Sequence, residues 1–233
     1  MRAASSAETQ RNWIRILLLL HFGLLAGCAT TQPVDYQALS VASELQENSG
    51  ANGAHVRFLF AARTRDWGYY DRFMLDPVEI YRGADQQFGK IQETQKKDLA
   101  AYMQVKFSEA LALRYAPATA AGSGVLRVHL VLAGVETSIP VIATATKVLP
   151  IGFVVNSVQT ARDKQACFTG SVSYAVEIYD AASNRLLGAY IAKQYPAAVN
   201  VFASFGTLDA AKAGIRKGAG NLLLGFSGSD RND

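Results

Sequence analysis

The chain is short of the residues that most often carry chemistry. Two cysteines and three histidines in 233 residues leave no pair at metal-ligand spacing, so a structural zinc site is not expected and no metal ligand is assigned. Charged residues are only 18% of the chain, 23 basic against 19 acidic. No Lys/Arg-rich run occurs, which argues against nucleic acid as a partner. No phosphate-binding loop appears: Gly218-Ala219-Gly220 lacks the third glycine of a dinucleotide loop and falls within a predicted helix. Gly225-Phe226-Ser227-Gly228-Ser229 has only a superficial likeness to a serine elbow, because it follows a helix instead of joining strand to helix. Glu136 and Glu177 would serve as acid and base only if neighbouring strands brought them together. No catalytic residue is assigned, and a hydrolase is the least favoured class. A membrane span needs about 20 consecutive apolar residues, and the one long apolar stretch is broken by Arg15 and His21.

What is present begins at the N-terminus. Arg2, Arg11 and Arg15 precede an apolar run from Ile16 to Leu25, and small residues follow, the build of a secretory signal. Leu25-Ala26-Gly27-Cys28 resembles the bacterial lipobox, whose cysteine is acylated and becomes the new N-terminus. The expectation is a signal over 1–27, a lipid on Cys28 as the one covalent addition, and no other cofactor. Two or three acyl chains suffice for stable anchoring. Ala29 follows the cysteine where inner-membrane lipoproteins carry Asp, so the outer membrane is expected, with the domain in the periplasm. Without the first 27 residues 206 remain, suited to one domain. The net charge falls from +4 to +2, because the signal holds Arg2, Arg11, Arg15 and Glu8. Cys167, beside Phe168, then has no disulfide partner and reads as a buried, inert thiol.

The remainder is expected to be a lipidated tether and lead-in over 28–50, a domain over 51–228 and a tail over 229–233. Strands are predicted at His55–Ala62 and Asp76–Arg82, the latter opening near Pro77. Apolar positions three and four apart, Leu99, Met103, Phe107 and Leu111 among them, predict a helix over Thr94–Tyr115. Gly124–Val135 alternates, with Leu126, Val128, Leu130 and Leu132 on one face and Arg127 and His129 on the other, a half-buried strand. Ser171–Asp180 repeats the pattern through Val172, Tyr174, Val176 and Ile178, and a turn at Asp180–Asn184 leads into Leu186–Tyr195 as a hairpin. A last helix over Leu208–Phe226, capped by Thr207, is weakened by Gly214, Gly218 and Gly220 unless close packing compensates. The fold class is α+β: one domain, a mostly antiparallel sheet with two packed helices, in the order β-β-α-β-β-β-α. The stretch 139–159 reads as a core-filling crossover in preference to an exposed apolar contact surface.

The candidate binding surface is Arg63, Arg65, Trp67, Tyr69, Tyr70 and Arg72, since flat aromatics interleaved with guanidinium groups suit hot spots and stacking. The alternative is that Tyr70 and Phe73 pack on the sheet while the arginines face water. An envelope protein partner and a glycan both remain open as ligands.

Asp35-Tyr36-Gln37-Ala38-Leu39, Tyr70-Asp71-Arg72-Phe73 with Leu75-Asp76-Pro77-Val78, and Val176-Glu177-Ile178-Tyr179-Asp180 together resemble the DUF3313 family of Gram-negative lipoproteins. At Ser183-Asn184 the family often has Thr-Gly, which is compatible with the same turn. The resemblance implies location and fold class and carries no agreed activity.

Overall fold

The computed structural model describes residues 33–49, 56–63, 65–137, 170–196 and 208–227. The expected signal, Cys28, Cys167, Thr207 and the stretch 139–159 lie outside the described residues. Gln32–Asp233 forms one compact unit. Its elements are β1 (Gln46–Glu47), β2 (Val56–Ala61), β3 (Arg72–Leu75), β4 (Glu79–Ile80), α1 (Glu93–Leu111), β5 (Ala116–Pro117), β6 (Val125–Glu136), β7 (Ser171–Asp180), β8 (Leu186–Gln194) and α2 (Asp209–Ser227). The strands among the described residues join one sheet, ordered β1-β2-β8-β7-β6-β3-β5 with β4 also on β6. Neighbours from β1 through β6 are antiparallel, whereas β3, β4 and β5 run parallel to their partners. The domain is α+β, and its long elements follow the expected order.

The two helices cover one face. Leu126, Val128, Leu130 and Leu132 of β6 and Val172, Tyr174, Val176 and Ile178 of β7 pack there against Leu99, Met103, Phe107 and Leu111 of α1 and Ala211, Ile215 and Leu222 of α2. The period-2 and period-3.6 patterns thus bury against each other. α1 starts at a capping box, with Gln92 and Gln95 satisfying each other's backbone N–H groups. It ends at Leu111, short of the expected Tyr115, and Leu113 is 82% exposed. Among the described residues no helix is long and apolar enough to cross a membrane.

The second face is not left to water. Val131, Ala133, Ala175, Ala189 and Ile191 are buried under Tyr36, Leu39, Val41 and Tyr81, so the expectation of half-buried strands fails in the middle of the sheet. The covering segment is tied down by hydrogen bonds. The Ser40 hydroxyl donates to both oxygens of Glu177 at 3.1 and 2.9 Å, and Tyr179 donates to the same carboxylate at 2.6 Å. Tyr36 donates to Gln87 Oε1 at 2.7 Å, and the Ala38 N–H to the Tyr81 hydroxyl at 3.0 Å. Residues 33–47 therefore belong to the folded body, and the expected boundary at residue 51 runs through it.

Two further expectations change. The strand expected over Asp76–Arg82 is shortened to β4, and a further strand, β3, precedes Pro77, which has no N–H to give the ladder; the Val78 N–H donates to Gln104 Oε1 of α1 at 2.8 Å. Glu136 and Glu177 do not meet. Glu136 lies opposite Ser171, and six residues of strand, about 20 Å, separate Ser171 from Glu177. Glu136 instead takes hydrogen bonds from the Ser171 hydroxyl and the buried Lys193 ammonium, both at 2.8 Å, so no acid–base pair forms.

The β7–β8 turn holds Asn184 at φ 56°, the left-handed region where Asn and Gly are favoured. Asn184→Gly is expected to leave stability within about 1 kcal/mol, and Asn184→Val to lower it by about 1–2 kcal/mol. Urea denaturation of both variants checks this; equal effects would mean the turn does not need that conformation.

Candidate functional site

One end of the sheet gathers the end of β2, the start of β3 and the β7–β8 turn, because Ala61 pairs with Gly188 and Leu126 with Asp180. An open cleft of about 450 Å³ lies there. It is lined by Arg63, Arg65, Tyr69 and Tyr70 from the β2–β3 connection, with Asp66 beside them and Asp180 and Arg185 from the hairpin. Four of the six residues predicted from sequence therefore share this cleft.

The connection that carries them is shaped by local bonds. Asp66 caps a short 3-10 turn over Trp67–Tyr69, its carboxylate accepting the Gly68 N–H at 2.9 Å. Arg65 donates to the Ala62 carbonyl at 2.9 Å. This turn drives Trp67 inward and Tyr69 outward. Trp67 is only 5% exposed, edge-on to Phe226 of α2 at 4.7 Å, and its Nε1 has no hydrogen-bond partner among the described residues. Trp67 is a core residue, not a stacking platform. Tyr69 is 55% exposed, bonded through its hydroxyl to Ser123 Oγ and edge-on to Tyr70. Arg72 lies outside the cleft, donating to the Ser123 carbonyl at 2.9 Å and pairing with Asp71. Phe73 is buried in the core.

The floor of the cleft is a hydrogen bond. Tyr70 donates to Asp180 Oδ2 at 3.0 Å, and Asp180 Oδ1 accepts the Ser183 N–H and hydroxyl, each at 2.7 Å. Burial, helped by the Asp180 carboxylate, pushes the Tyr70 phenol up to about 12. The Ser183 hydroxyl leads the bonds that hold Asp180 below the usual carboxylate range. At neutral pH the phenol is neutral and the carboxylate ionised. Both carboxylates of the cleft thus already accept hydrogen bonds from neutral donors, and three guanidinium groups share the lining with these two carboxylates. Beside the Tyr70–Asp180 phenol–carboxylate pair the arrangement offers guanidinium donors and an exposed ring, which is equipment for binding.

Asp66, Asp180 and Arg185 were not among the residues predicted. The Asp180–Asn184 turn was legible, yet its place beside Arg63 depends on the β2–β8 pairing, a contact between strands some 130 residues apart with no local signature.

Elsewhere, His129 stands between Asp76 and Glu79, Nδ1 3.6 Å from one carboxylate and Nε2 3.4 Å from the other, while Arg127 holds Asp76 at 2.8 Å. Among the described residues no group of three or more His, Cys, Asp or Glu is placed to hold a metal ion.

A family described as "Protein of unknown function (DUF3313)" matches residues 35–222, from the covering segment through most of α2. The chain belongs to the DUF3313 family. This DUF3313 protein has no match among curated proteins. Two solved structures of the PelC dodecamer from Paraburkholderia phytofirmans are similar at low level. One, a point variant, has 9% identity over 72% of this chain and 95% of the PelC chain, with a TM-score of 0.36. The other has 8% identity over 71% and 96%, with a TM-score of 0.37. Likeness this slight carries nothing over to the DUF3313 chain.

Proposed function

We propose that this protein is an outer-membrane lipoprotein, anchored through acylated Cys28 with its domain in the periplasm, that acts by binding an envelope component and not by catalysis. The observation that carries the binding reading is the cleft at the sheet end, which Arg63, Arg65 and Arg185 line together with the exposed Tyr69. Tyr and Arg are the residue types that dominate recognition surfaces. An accessory role beside an envelope protein follows most directly; a glycan is the second reading, supported by the Tyr69 ring lying beside guanidinium groups.

The test has two arms. Palmitate labelling in cells should mark the chain and be lost in Cys28→Ser, which then leaves the membrane fraction; labelling that persists without Cys28 refutes the anchor. A photo-crosslinking amino acid at position 69 should capture one discrete component, with capture reduced at least about tenfold by Arg65→Ala, the loss of roughly 1.4 kcal/mol. Capture of a protein supports the accessory role and of a sugar polymer the glycan reading. A random spread of adducts refutes both.

A further inference from the structure

We propose that the Arg63–Arg65–Arg185 cleft is a binding site for a phosphate group carried on a sugar. This deepens the binding reading of the same cleft and rests on it. Three observations converge on the assignment.

The first is charge. The lining holds three guanidinium groups and two carboxylates, leaving one positive charge to be met by a ligand. Both carboxylates are already engaged by neutral donors: Asp66 accepts the Gly68 N–H of its own turn, and Asp180 accepts the Tyr70 phenol from the β2–β3 connection together with the Ser183 N–H and hydroxyl of its own turn. Arg63 is exposed and makes no hydrogen bond or ion pair among the described residues, although long side chains near carboxylates commonly pair with them.

The second is direction. Arg63 and Arg65 reach the cleft from the connection after β2, and Arg185 from the β7–β8 turn. Donors on separate chain segments suit a tetrahedral phosphate, whose three free oxygens can be met from several sides. A planar carboxylate is satisfied within one plane by one bidentate guanidinium.

The third is the neighbouring ring. Tyr69 is 55% exposed and fixed by its bond to Ser123 Oγ. An immobilised aromatic face beside an anion site is a surface on which an apolar sugar face can lie at small entropic cost. The cleft's volume of about 450 Å³ is within the range of small-ligand sites.

The phosphate has two possible sources, a free ion or a phosphorylated sugar, and titration separates them. Mature lipidated protein in detergent micelles is titrated calorimetrically with glucosamine 6-phosphate, inorganic phosphate and glucosamine. Saturable binding of the sugar phosphate is expected, at least about tenfold tighter than inorganic phosphate, with no saturation by glucosamine. Arg63→Ala should weaken it at least about tenfold, or roughly 1.4 kcal/mol, and Tyr69→Ala should bring the sugar phosphate down to the level of inorganic phosphate. Arg57→Ala, whose guanidinium pairs with Glu47 at 3.1 Å on the sheet's edge strands, should change nothing. Equal affinity for both phosphates overturns the sugar half of the proposal. No saturation by either, or binding indifferent to Arg63→Ala, overturns it entirely. If position 69 still captures an envelope component in that case, the binding reading stands and only the ligand class falls.

Discussion

Gly214→Ala and Gly218→Ala are each expected to lower unfolding free energy by about 2 kcal/mol or more, whereas Gly220→Ala should raise it by up to about 1 kcal/mol. All three glycines lie in α2, where intrinsic propensity alone favours alanine at each. What separates them is the space beyond the missing side chain. A Cβ at 214 would stand 2.8 Å from the Gln194 carbonyl oxygen and 2.8 Å from Val172 Cγ1. The Gln194 backbone is part of the β7–β8 ladder, opposite Val172, so it can yield only by loosening the sheet. A Cβ at 218 would overlap the Tyr174 hydroxyl. That ring is fully buried and packed edge-on to Phe107 at 5.7 Å, so it has no free direction in which to swing. At 220 nothing lies within 4 Å. Urea denaturation of the three variants decides the point. Similar effects at all three positions would mean that the glycines serve chain flexibility and not the approach of α2 to the sheet.

The same glycines mark the limit of what sequence reading could deliver. That α2 contains residues poor for a helix was legible, as was the idea that packing compensates; which glycines touch the sheet was not, because that depends on the rotation of α2 over β7 and β8. The long strands and α1 were legible because each repeats its apolar period over ten residues or more. β3, β4 and β5, of two to four residues, are too short to show a period, so of the strand expected over Asp76–Arg82 only Glu79–Ile80 pairs as a strand, and Arg72–Leu75 before it was not foreseen. Tyr36 falls in the expected lead-in, where the apolar Val34, Leu39 and Val41 do not recur over a length that reveals which sheet face would bury them, so the burial of its phenol is not legible. At the cleft, the arginines and Tyr69 were found from their composition. Residue type does not reveal that one 3-10 turn sends Trp67 inward and Tyr69 outward, and Arg185 joins the cleft only through neighbours from distant sequence.

Alkali should unfold this protein steeply above pH 10. Six of its ten tyrosines keep their protons beyond the ordinary value. Burial pushes Tyr36, Tyr174 and Tyr190 well above it. Burial, assisted by a carboxylate that accepts the phenol, pushes Tyr70, Tyr81 and Tyr179 up to about 12. In the unfolded chain tyrosines ionise near 10. Below pH 10 both states hold these protons and stability is independent of them. Above it the unfolded state releases protons that the native state retains, so stability falls as pH rises toward 12. Each such group contributes up to about 1.4 kcal/mol per pH unit, and the three pushed highest alone roughly 4 kcal/mol per pH unit, against a typical total of about 5–15 kcal/mol. Lys193 acts the other way. Burial lowers its pKa despite the Glu136 carboxylate, so its contribution grows with pH up to about 10.5 and is then complete. One lysine does not balance six phenols. Circular dichroism should show a cooperative transition between about pH 10 and 12, coinciding with tyrosinate absorbance. Tyr174→Phe should move the midpoint upward, since it removes a phenol that must ionise on unfolding and leaves the ring in place. Titration of all ten tyrosines near pH 10 with the fold intact would contradict the burial of Tyr36 beneath the covering segment and of Tyr174 beneath α2. Because Tyr36 belongs to that segment and Tyr174 to the helix face, Tyr36→Phe and Tyr174→Phe together test whether both faces of the sheet are sealed.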